Sequence, residues 1–156
     1  MLPRWHILLG GIVSLVIWLV FPSIGMYAWV VFLSSFLIDV DHYMEYVVRQ
    51  KDISLINALR YYHYKLKYFK KLHRKHWKKY KEHYIIFHTI ESWIVLAFLG
   101  MINPIFWFVL LGFGIHMFFD YIAMLSYRVI LVSKISLIAT YVLNRDRIEF
   151  DEIEKL

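Results

Sequence analysis

The chain has 156 residues, of which 60% are hydrophobic and 19% charged, with a net charge of +6 and no cysteine. Counted with Gly and without Tyr, the apolar share is about 56%, above the roughly 45–50% of soluble domains. This balance excludes disorder and disfavours a soluble fold, and the lack of cysteine excludes disulfides, thiolate zinc sites, iron–sulfur clusters and cysteine nucleophiles.

Between Arg4 and Asp39 there is no Asp, Glu, Lys or Arg over 34 residues. As one helix that run would be about 51 Å long, against a hydrocarbon core of about 30 Å, so the chain must turn back. Phe21-Pro22-Ser23-Ile24-Gly25 supplies the break, which predicts membrane helices over 6–21 and 25–41. No small-residue cleavage site follows the first, so it reads as an uncleaved helix and not as a secretion signal. A basic segment over 43–82 comes next. From Arg49 to Lys81 it holds twelve of the chain's 18 Lys and Arg, which places it, with the N-terminus, on the cytoplasmic side. Apolar or aromatic residues at 55, 59, 62, 66, 69 and 72 recur at helical spacing, predicting an amphipathic helix on the cytoplasmic leaflet. Each basic residue there gains about 1 kcal/mol near anionic lipid, so membrane lipids are the expected partner and nucleic acid is not.

Two further helices are expected over 83–101 and 105–126, separated by Gly100-Met101-Ile102-Asn103-Pro104. A fifth apolar segment, Ile130–Leu143, spans 14 residues with Lys134 inside it, and stays open between interfacial and spanning. The tail over 144–156 is charged and expected to be solvated. The expected fold is all-α: one membrane-embedded domain over 1–156, multi-pass in the cell membrane, with four transmembrane helices and that fifth segment. Oligomeric state is not legible.

Against this apolar background the titratable residues at the span ends stand out. Asp39, Asp41 and His42 close the second helix, His83, His88 and Glu91 open the third, and His116 and Asp120 lie on the fourth. In the topology above all eight fall at one cytoplasmic depth. Pairs at i,i+3 or i,i+4 (Asp39/His42, His88/Glu91, His116/Asp120) share helix faces. An intramembrane Asp costs about 2.5–3.5 kcal/mol at mid-bilayer, and a helix C-terminus disfavours negative charge further. A compensating cation is required, and no lysine lies in the second, third or fourth span. Divalent metal meets the need, and His with Asp/Glu suits zinc foremost, or manganese or iron; protonation or solvation of the helix ends is the competing account. His6, His63, His73 and His76 lie outside the convergent set and read as surface residues.

Asp39-Val40-Asp41-His42, then His83 with His88-Thr89, then Gly112, His116 and Asp120 resemble the YdjM-type family of membrane-bound metal-dependent hydrolases, also described as LexA-binding and inner-membrane-associated. Its pattern is Pro-Asp-x-Asp-His, His-Arg-Gly-x-x-His-Ser/Thr and Gly-x-x-x-His-x-x-x-Asp, matched in order across roughly residues 8–125. Ile38 stands in place of the proline and Tyr84-Ile85 in place of Arg-Gly, and Glu91 lies outside the pattern. The resemblance implies a helical membrane hydrolase with a metal centre. A more distant similarity, to zinc-dependent phospholipase C and P1 nuclease, points to phosphate esters.

The expected activity is metal-dependent hydrolysis of a phosphoester in an anionic lipid or lipid-linked substrate. Asp39, Asp41, His83, His88, His116 and Asp120 are the expected ligands, with His42 as ligand or supporting group and Glu91 orienting or deprotonating water. Two other classes share the composition. A metal or proton transporter would carry polar residues on to the outer face, and here the outer helix halves have no charge. A non-catalytic membrane adaptor would rely on the basic loop.

Overall fold

The structure, a computed structural model, describes residues 3–71, 77, 79–126 and 132–150. Seven α-helices are described: α1 Pro3–Val20, α2 Tyr27–Leu37, α3 Val40–Gln50, α4 Leu55–Lys71, α5 Ile90–Ile102, α6 Ile105–Ser126 and α7 Leu137–Asn144. Among the described residues the only β pairing is an isolated parallel bridge between Tyr80 and Ile148, so the fold is all-α.

α1, α2, α5 and α6 form the bundle, with α2 packed most extensively on α6 and next on α1. Small residues allow the close approach. A Cβ on Gly112 of α6 would lie 1.9 Å from Ser34 Oγ and 2.6 Å from the Val31 carbonyl oxygen of α2. The serines cost little there, because Ser34 and Ser35 donate to carbonyls of their own helix at 2.7 Å. Ile38, Phe113 and Met117 form the buried core beneath the site, flanked by Phe87, Trp93 and Leu96.

The expected 25–41 helix is broken. After Leu37 the backbone tightens, with the Asp39 amide donating to Phe36 and the His42 amide to Asp39, and α3 starts at Val40. Asp41 therefore stands in a helix's first turn, where the macrodipole favours a carboxylate, and not at a disfavoured C-terminus. The third helix starts at Ile90, seven residues later than expected, and leaves His83 to Thr89 as an extended and bent approach. α6 has the expected bounds. The turn between α1 and α2 is the expected one, with Pro22 opening a short 3-10 turn and Gly25 at φ +53°.

By length and apolarity α6, at 22 residues, is the one described helix able to cross a membrane alone. α1 and α5 are shorter apolar helices, and α2 has 11 residues. The bundle's outer surface is apolar throughout: Leu15 and Leu19 on α1, Val95 and Phe98 on α5, and Phe118 and Leu125 on α6 are among its exposed side chains.

At one end of the bundle the basic segment and the tail build a second layer. α4 presents Ala58, Tyr62 and Lys65 inward and Leu55, Ile56, Leu59 and Leu66 outward, so its protein-facing side is not the apolar stripe read from the sequence. Lys65 is buried with its Nζ 5.0 Å from the Phe150 ring centre and 5.7 Å from that of Tyr61. Asn144 and Phe150 are buried and Glu149 pairs with Arg49 and Lys81, while Arg145, Asp146 and Ile148 are exposed, so the described part of the tail is anchored at these points and not solvated throughout. The fifth segment resolves into a 3-10 turn, Val132–Lys134, and the eight-residue α7, too short to span; residues 127–131 and 151–156 lie outside the described residues.

Candidate metal centre

The break at Ile38–Asp39, the non-helical approach to α5 and one face of α6 meet at the polar end of the bundle. Asp39 Oδ1 lies 3.6 Å from His88 Nε2 and 3.5 Å from His116 Nε2, and the two histidine nitrogens lie 3.2 Å apart. For tetrahedral zinc with Zn–N near 2.0–2.1 Å, ligand atoms are separated by about 3.3–3.4 Å. The three atoms have that spacing.

The tautomers follow from the neighbours. His116 Nδ1 lies 2.9 Å from the carbonyl oxygen of Ser35, which only accepts, so Nδ1 carries the proton and donates. His88 Nδ1 donates to Asp41 Oδ2 at 3.0 Å, and that oxygen also accepts the Phe87 amide at 2.8 Å. Both Nε2 atoms then hold lone pairs and face each other and a carboxylate in a buried space. Three converging acceptors without a donor are unstable unless a cation or proton lies between them. Asp41 acts here behind His88, fixing its tautomer, as carboxylates do for metal-bound histidines.

His42 Nε2 extends the set, 3.8 Å from Asp39 Oδ1. Asp39 and His42 are each 24% exposed while His88 and His116 are closed off, so the centre opens on the Asp39–His42 side.

Two members are absent from the sequence reading. His6, expected at the surface, is 2% exposed, stacks on His116 with ring centres 3.8 Å apart, and brings Nε2 to 3.3 Å from Asp120 Oδ1. The signal was present: in the topology expected from the sequence, His6 falls at the same depth as the others. Lys134 supplies the positive charge that the segments carrying Asp39, His88 and His116 do not bring to the centre. Its ammonium, buried and carried in from the turn after α6, pairs with Asp120 Oδ2, and His116 Nε2 lies 3.6 Å from that oxygen. The cation required by Asp120 thus comes partly from the chain itself.

Two expected members are placed elsewhere. His83 lies in the second layer, with Nδ1 2.7 Å from Glu45 Oε2 and Nε2 2.6 Å from Lys65 Nζ, and the Tyr62 ring separates it from His42. Glu91 accepts from Ser136 Oγ at 2.6 Å and from the Leu137 and Ile138 amides at 3.1 and 3.2 Å, so it caps α7. The i,i+3 spacing from His88 to Glu91 has no helical meaning, because His88 precedes the helix. His63 is exposed, and His73 and His76 lie outside the described residues.

Three overlapping groups of side chains thus come within reach of a single ion: Asp39, His42 and His88; His6, Asp39 and His116; His88, His116 and Asp120. Both ring nitrogens of His6, His42 Nδ1 and Asp41 Oδ1 are buried without a hydrogen-bond partner. The donor set of imidazole and carboxylate fits a divalent transition metal. Compared with protein families, with curated proteins and with solved structures, the chain finds no match in any of the three.

Proposed function

We propose that the protein is a multi-pass membrane hydrolase with a divalent-metal centre, zinc foremost, acting on a phosphoester of an anionic lipid or lipid-linked substrate. The observation that carries this reading is the convergence of His88 Nε2, His116 Nε2 and Asp39 Oδ1 with their lone pairs turned to one point. A divalent ion held there supplies Lewis-acid polarisation of a phosphoryl oxygen and a water nucleophile near neutral pH.

The chain's own residues do the rest. Asp41 and the Ser35 carbonyl hold the two imidazoles in the ligating tautomer. His42, at the open side beside Asp39, is placed to orient an incoming water or to join the ligands. Lys134 fixes a positive charge beside the centre. The YdjM-type resemblance agrees with this set in Asp39, Asp41, His42, His88, His116 and Asp120.

The membrane reading rests on α6 and on the apolar outer surface of the bundle. α1, α2 and α5 complete the spans with their flanking segments, and the basic layer lies in the cytoplasm by the positive-inside rule. A transporter is less well supported, since no charged or histidine side chain continues from the centre towards Pro22 and Pro104. Protein purified in detergent is to be screened against lipid and soluble phosphoesters with and without chelator. Turnover abolished by chelator is expected; turnover that survives it, or none across the screen, contradicts the hydrolase reading.

A further inference from the structure

Lys134 is an unusual neighbour for a metal centre, and the structure secures it from several sides. The Ser133 amide donates to Glu82 Oε2 at 2.7 Å, and Arg147 holds the other Glu82 oxygen at 2.8 Å. Tyr121 donates its hydroxyl to the Lys134 carbonyl at 3.0 Å, the Ile90 amide donates to Ile135, and Glu91 caps the helix that follows. Two carboxylates, a tyrosine and a backbone bond thus fix a turn whose buried product is one ammonium on Asp120. Beside it His6 is buried, with neither ring nitrogen hydrogen-bonded, and its Nε2 is 3.3 Å from the second Asp120 oxygen.

Charge points the same way. Asp39, Asp41 and Asp120 contribute three negative charges and Lys134 one positive, leaving two, which a single divalent ion neutralises. Asp120 with His6 would otherwise be a second pair of ligands beside the first set, and paired divalent ions about 3.5–4 Å apart are a common hydrolytic arrangement.

Building on the proposed metal centre, we propose that Lys134 is a built-in second cation. Its ammonium takes the place beside Asp120 and His6 that a second metal ion would fill. The cluster therefore holds one divalent ion, on Asp39, His88 and His116, and the Asp120–His6 position accepts a transition-metal cation only when Lys134 is removed.

The test is metal stoichiometry, read by elemental analysis after zinc loading and gel filtration of the full chain in detergent. Wild type is expected to retain about one ion and Lys134→Met about two, while Lys134→Arg, which keeps the charge, and the double variant His6→Ala/Lys134→Met return to about one. About two ions in wild type, or an unchanged count in Lys134→Met, overturns the assignment. Asp120→Asn gives a second arm that does not depend on Lys134→Met folding: it is expected to keep about one ion, and loss of that ion would make Asp120 a ligand of the first metal and overturn the proposal. Absence of bound zinc from wild type and Lys134→Met alike refutes the metal centre itself, a result distinct from the others.

Discussion

His88 and His116 are ordinary histidines made into a lone-pair clamp by what lies behind them. Asp41 and the Ser35 carbonyl each accept a hydrogen bond from an Nδ1–H, and that turns both Nε2 atoms into acceptors 3.2 Å apart. The scarcity of charge in the apolar runs made Asp39, His42, His88, His116 and Asp120 legible from sequence. Lys134 was not legible as their partner, because its return to Asp120 is set by hydrogen bonds to Glu82, Tyr121 and Glu91, which leave no periodic trace. Glu91 shows the same limit in reverse, since its spacing from His88 suggested chemistry while its oxygens cap α7. Glu91→Ala is expected to lower stability by about 1–2 kcal/mol through loss of the cap, with metal content unchanged. Thermal unfolding and elemental analysis of the variant check this; unchanged stability with lost turnover would return Glu91 to the reaction.

The elements hold these residues through two local features, the break after Leu37 and the contact of α2 with α6. The break was hidden in the sequence because residues 25–41 are apolar enough to read as one helix, and the i→i+3 tightening at Asp39 carries no proline or glycine to announce it. The α2–α6 contact needs Gly112, since any side chain there meets Ser34 and the Val31 carbonyl. Gly112→Val is expected to push the helices apart at a cost of about 1–3 kcal/mol or more, and to reduce bound metal by separating Asp39 from His116. Gly114→Val is the matched control, because a Cβ at Gly114 meets nothing within 4 Å. Equal metal content in the two variants would show that the contact does not position the centre.

At the scale of the molecule, an apolar bundle carries its polar centre at the end covered by the basic layer. The outward side of α4 combines Leu55, Ile56, Leu59 and Leu66 with Arg60, His63 and Lys67, and suits a helix lying in the interface of an anionic leaflet. Because the chain has no cysteine, single-cysteine spin labels can read this directly in nanodiscs. Labels at Leu125 and Leu59 are both expected to be relaxed by oxygen more than by a water-soluble nickel complex. Nickel-dominated relaxation at Leu59 alone would detach α4 from the membrane, and at Leu125 as well would remove the bundle from it.

The central claim is that the His and Asp cluster holds a divalent ion, and the metal content of the purified chain, beside Asp39→Ala and His116→Ala, tests it most directly. Wild type is expected to carry about one ion per chain and both variants well below that, with all three still folded. Equally low metal in all three samples would contradict it.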